Sequence, residues 1–203
     1  MIAPRMPSPI GHALAGVAVA WTVDLIPGNR AWRTAPEPAP WHQRAGDGLT
    51  LLCAGLGAAP DLDFLFLTHR TVTHSIGAVF FIGLFSATLA ANAHRPIGRV
   101  AWMCAAAYAS HLLLDWLATD TYSPLGIQLL WPLSREWFVS GLSVFRQTAR
   151  EEVWTQASML KNLRAIVQEL AILGPTVVAL WLVRVKALAG FAPQVARRDH
   201  PAQ

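Results

Sequence analysis

Charge is scarce in this chain: Asp, Glu, Lys and Arg together supply 14% of its 203 residues, where a soluble domain carries roughly 25%. Cysteine is scarcer still. Cys53 and Cys104 both sit inside apolar segments, with no CxxC spacing, which argues against a disulfide framework or a cysteine metal site and reads as two buried free thiols. Also missing is a basic stripe interleaved with aromatics. The sixteen Lys and Arg are spread over loops and helix ends, so a net charge of +4 and a pI near 9.7 leave no nucleic-acid footprint. No internal repeat is visible. No clean small-residue cleavage site follows the first apolar run, and we read the N-terminus as a retained helix rather than a signal peptide.

What the chain has is apolar surface. Hydrophobic residues make up 54% of it, mean hydropathy is +0.37, and there are nine Trp, whose amphipathic rings favour membrane interfaces. About 17–25 apolar residues suffice to cross a bilayer as a helix. Residues 10–26, 75–93, 98–118 and 165–185 meet that condition. A fifth stretch, 49–67, is long enough but carries Asp61 and Asp63. The expected fold is therefore all-α, a polytopic transmembrane bundle of about five apolar helices forming one membrane-embedded domain over residues 1–203. Pro36, Pro38 and Pro40 make a polar linker of residues 27–47, and the HRPI turn joins the third and fourth spans in a hairpin. In residues 146–170, Val153, Ala157, Leu160, Val167 and Leu170 recur at helical spacing beside Arg150, Lys161 and Arg164. That pattern predicts an amphipathic interfacial helix within 135–164 ahead of the last span. The tail 197–203 reads as disordered.

Five crossings have a consequence for the polar residues. His12 falls near one end of the first span, and Asp61, Asp63 and His69 near the same end of the second. His74 opens the third at that end, and His111 and Asp115 close the fourth there. All candidate ligands then meet at one membrane face, side A, and if the second segment does not cross, the cluster dissolves. Each buried Asp costs about 2.5–3.5 kcal/mol at mid-membrane, so three unpaired carboxylates would cost on the order of 8–10 kcal/mol. A bound cation would offset all three. The positive-inside rule leans toward the opposite side, B, as cytoplasmic.

The motifs are PIGH, PDLDF, HRTVTHS and HLLLD. In HLLLD, His111 and Asp115 are four apart and share one helical face. Thr73 and Ser75 are placed to cap the next helix and hold His74 in orientation. Taken singly, His12 reads as an interfacial residue, DxD as a turn, HLLLD as a structural hydrogen bond, and Arg70 as a snorkelling cation. Their convergence points to a metal site, and mixed imidazole and carboxylate donors suit zinc, manganese or iron. The candidate ligands are His12, Asp61, Asp63, His69, His74, His111 and Asp115.

With PSPIGHALAG, PDLDF, HRTVTHS, HLLLDWLATD and GIQLLWPLS, residues 8–134 resemble the YdjM-like family of inner-membrane metal-dependent hydrolases, LexA-regulated in its founding member. The order of His12, Asp61 or Asp63, His74, His111 and Asp115 is also distantly similar to zinc-dependent phospholipase C and single-strand nucleases. The resemblance implies a multi-pass inner-membrane hydrolase with a divalent metal, most simply zinc. Phosphoesters, on a lipid or otherwise, are the expected substrates, with Asp61 or Asp63 as general base and Arg70 steadying the anion. No nucleic acid is expected as a partner. The alternative is a non-enzymatic membrane protein with a structural metal or an ion- or proton-transport role.

Overall fold

A computed structural model describes residues 7–25, 46–66, 69–121, 123–149, 152 and 154–196. Most of the proline linker and the tail 197–203 lie outside the described residues. The chain folds into five α-helices without named strands among those residues: α1 (Pro9–Asp24), α2 (Gly48–Ala58), α3 (Ile76–Asn92), α4 (Ile97–Leu117) and α5 (Gln156–Ala196). Two 3-10 segments, Ala59–Phe66 and Val72–His74, join α2 to α3. α1 packs on α2, α4 and α5, α2 also lies against α4, and α3 pairs with α4 as the expected hairpin.

Local chemistry sets where the helices begin. Ser8 caps α1 by accepting from the Gly11 amide at 3.1 Å, with Pro9 in the first turn. Asp47 and Thr50 form a reciprocal capping box at α2, and the Ser75 hydroxyl accepts from the Ala78 amide to start α3. α1 and α2 cross with backbones touching: a Cβ on Gly16 would strike the Cys53 carbonyl, and one on Gly57 would strike the carbonyl of His12. Glycine is required there because the two helices approach too closely for any side chain.

Among the described residues two helices are long and apolar enough to cross a membrane, Ile97–Leu117 and Gln156–Lys186, while Pro9–Val23 and Ile76–Asn92 are shorter apolar helices. The stretch 49–67 departs from expectation. Its α-helix stops at Ala58 and continues as a 3-10 coil over Ala59–Phe66, where Pro60 cannot donate to the ladder. As an α-helix it is about 16 Å long, half a bilayer core.

The segment before the last span departs as well. Residues 144–149 are not helical but run along α5, clamped by side chains. Asn162 accepts from the Ala149 amide and donates to its carbonyl, and Gln168 does the same for Arg146 and Val144. A single helix then runs from Gln156 through the last span. Its apolar residues Leu160, Leu163, Val167, Leu170, Val178 and Leu182 are exposed, while Glu169 is buried. On α3, Phe80, Phe81, Leu84 and Phe85 are likewise exposed. Contiguous apolar faces of this kind call for lipid rather than water.

Candidate metal centre

The two ends of the bundle receive different residues. At one end Asp47 lies 3.6 Å from Arg99 and 3.8 Å from Arg184, with the Arg184 guanidinium over the Trp21 ring. An apolar cluster of Ala20, Cys53, Met103, Cys104 and Ala107 fills the middle. At the other end the structure brings together His12, Asp61, Asp63, His69, His74, His111 and Asp115, from α1, both 3-10 segments, the turn between them and α4.

His12 and His111 are fully buried and stacked, with ring centroids 3.8 Å apart. Asp115 lies beneath them. Its Oδ1 is 3.4 Å from His12 Nε2, and its Oδ2 is 3.1 Å from His111 Nε2 and 3.4 Å from His74 Nε2. Asp61 Oδ1 sits 3.7–3.9 Å from the Nε2 atoms of His69, His74 and His111. Donor atoms of His12, His111 and Asp115 form one tight group and those of Asp61, His69 and His74 another, each within 4.8 Å.

The partners of the ring nitrogens settle which way each imidazole faces. His111 Nδ1 donates to the Gly57 carbonyl at 2.8 Å. His69 Nδ1 is hydrogen-bonded to Asp63 Oδ1. His74 Nδ1 lies 3.2 Å from Asp63 Oδ2 and 3.0 Å from Thr73 Oγ1. With these Nδ1 atoms protonated, three Nε2 lone pairs point inward. The His74 and His111 Nε2 atoms are then 3.1 Å apart, an arrangement that repels unless a proton or a cation lies between them. Burial works against charge on His74, yet the nearby carboxylates of Asp61, Asp63 and Asp115 raise its pKa to about 9, so a proton serves in the absence of a metal. Both His12 nitrogens, His69 Nε2 and both Asp115 oxygens are buried without a hydrogen-bond partner of normal geometry. Leaving so many buried polar atoms bare is costly, and a divalent cation satisfies them together. The donor set fits a metal.

Asp63 is held differently from Asp61. Its oxygens are occupied by His69, His74, the Thr73 hydroxyl at 2.5 Å and the Arg70 amide at 3.2 Å. Asp63 thereby fixes the His69 and His74 rings by their Nδ1 atoms. Arg70 is enclosed as well. Its guanidinium is buried, bonded to Asp120 and to the Pro124 carbonyl, and lies over Trp137. It braces the loop at this end.

Sequence reasoning missed two supports. Gly57 supplies the carbonyl for His111, and no side-chain pattern announces a backbone acceptor. Glu169 is fully buried and accepts from both the amide and the hydroxyl of Ser8, fixing the start of α1 one turn before His12. A lone acid among Val167, Leu170 and Ala171 was the available signal.

Fold and site together define a helical protein with lipid-suited outer faces and a buried His–Asp centre matched to a divalent metal. A model of the YdjM inner membrane protein family matches residues 6–189. The chain belongs to that family, and its place is the inner membrane. No curated protein and no solved structure matches it.

Proposed function

We propose that the chain is a membrane-embedded metal-dependent hydrolase acting on phosphoesters, lipid-linked ones included, and that it crosses the membrane about five times. The observation that carries this reading is the set of inward Nε2 lone pairs and bare Asp115 oxygens at one end of the bundle. His12, His74, His111 and Asp115, with Asp61 and His69, would hold the cation. When bound, the metal, zinc in the simplest case, supplies Lewis-acid polarisation and acidifies water at neutral pH. Asp61, whose Oδ1 faces three imidazoles, is the carboxylate we assign to accept the proton of the attacking water. Asp63, Thr73 and Gly57 keep the rings in register, and the surrounding helices exclude bulk water.

Transport is less well supported. The interior between the two ends is the apolar cluster of Ala20, Cys53, Met103, Cys104 and Ala107, whereas a proton or ion path needs polar groups to continue through it.

The test is metal analysis of the full-length protein in detergent, followed by a screen of phosphomonoesters, phosphodiesters and phospholipids. Stoichiometric metal with chelator-sensitive turnover supports the proposal. Stoichiometric metal without turnover across the screen returns the centre to a structural role, and absence of metal ends the reading.

A further inference from the structure

An open cavity of about 520 Å³, with both polar and apolar walls, lies between the clamped segment 144–149 and the first turns of α5. Its size suits a small ligand or headgroup. Arg146, Lys161 and Arg164 line it together with Thr119 and Gln147, and no acidic side chain does so among the described residues. Arg146 and Arg164 are exposed, so their charge is presented to a ligand. Gln147 is different. It is 7% exposed, its Oε1 accepts from the Thr121 hydroxyl at 3.2 Å, and its Nε2 is buried without a partner. A buried amide donor left bare is costly, so its presence at a cationic cavity points to an acceptor that arrives from outside.

The walls are built rather than incidental. Asn162 and Gln168 pin the backbone on either side of Gln147, and the Thr119 amide donates to the Phe145 carbonyl at 2.9 Å. Thr119 lies one turn beyond Asp115, so the cavity opens at the metal-centre end of the bundle. Leu160, 45% exposed, forms its apolar edge and continues into the outward face of α5.

We propose that this cavity binds a phosphate group, with the Gln147 amide and the Arg146 and Arg164 guanidiniums as donors. The group belongs either to a phospholipid headgroup, with acyl chains along the apolar face of α5, or to a free phosphomonoester. The inference does not depend on the hydrolase reading, because binding is measured directly.

The experiment is titration of the full-length protein in a neutral detergent with glycerol 3-phosphate and with a short-chain phosphatidic acid, before and after chelation of metal. Saturable binding that survives chelation is expected. If only the lipid binds, the source is the headgroup; if both bind alike, it is the free phosphate. Arg164→Ala, an exposed substitution that spares the fold, should weaken affinity about tenfold. Gln147→Glu, which keeps the volume and adds a negative charge, should weaken it further. Arg135→Ala, which removes an exposed cation that does not line the cavity, should leave it unchanged. Binding that vanishes with the metal, that is absent for both probes, or that falls as much for Arg135→Ala as for Arg164→Ala overturns the proposal.

Discussion

The two ends of this bundle solve the same electrostatic problem in opposite ways. At the Asp47 end, one carboxylate meets two arginines and a capping box, so the chain supplies its own countercharge and every near neighbour is a donor. At the His12 end, three carboxylates meet four imidazoles, and the arginine nearest to them is bonded elsewhere. A protonated His74 balances only one of the three negative charges, and the inward lone pairs of the other rings are left without a donor. The first end is complete as folded, while the second is complete only with a cation. An ionic cluster in a membrane protein is therefore read best by its bare atoms rather than by its number of charged residues.

The sharpest way to break this comparison is to remove a donor from the incomplete end. Asp115→Ala and His111→Ala should each abolish most bound metal, measured by elemental analysis of folded, detergent-purified protein. The double variant should lose little more, because the first change already releases the ion they share. Full metal content in both single variants would make His111–Asp115 a structural pair and would make the two ends alike.

Asp63 provides a finer cut. Because it touches ring Nδ1 atoms, Asp63→Asn should weaken metal affinity about 10–100-fold, the usual effect of losing an outer partner, without abolishing it. An effect as large as that of Asp115→Ala would make Asp63 a ligand after all. Proton competition sharpens the same point. His74 titrates near 9 without metal, so below that pH a metal must displace a proton, and affinity should rise with pH toward 9. The gain between pH 7 and 9 should reach about 100-fold for one displaced proton. A flat profile over that range would remove His74 from the ligand set.

Much of the incomplete end was legible in the sequence. His111 and Asp115 are four apart in an apolar helix, so their shared face follows from helical geometry. The gathering of His12, His74 and His111 follows from counting alternating segments. What stayed hidden was local backbone geometry. Asp61 and Asp63 read as a matched pair. In a 3-10 coil with three residues per turn, positions two apart point about 120° away from each other, which sends one carboxylate toward the ring Nε2 atoms and the other toward Nδ1. The hydrophobic pattern runs unbroken through the change from α to 3-10 and so does not report it. The start of α5 was misplaced for a similar reason. Of residues 146–149 only Ala149 extends the helical spacing of Val153 and Ala157, while Asn162 and Gln168 take up the backbone groups of this stretch, and such side-chain clamps leave no periodic trace.

The smallest expected effect lies at the complete end, and it is the control on which the comparison rests. Asp47 Oδ1 accepts from the Thr50 amide at 2.9 Å and caps α2, while its other oxygen faces Arg99 and Arg184. Asp47→Ala removes the cap and should cost about 1 kcal/mol of stability, seen as a modest fall in the unfolding midpoint in detergent. Asp47→Asn keeps a competent cap and removes only the charge. Asp47 is 38% exposed at the side chain, so solvent screens its ion pairs and the Asn variant should lose less than the Ala variant. Neither change should alter metal content, because the apolar cluster around Cys53 and Met103 separates the two ends. A loss of metal in folded Asp47→Asn protein would show that the ends are coupled through α2, whose Gly57 carbonyl holds His111. The centre would then depend on the charge balance of the whole bundle.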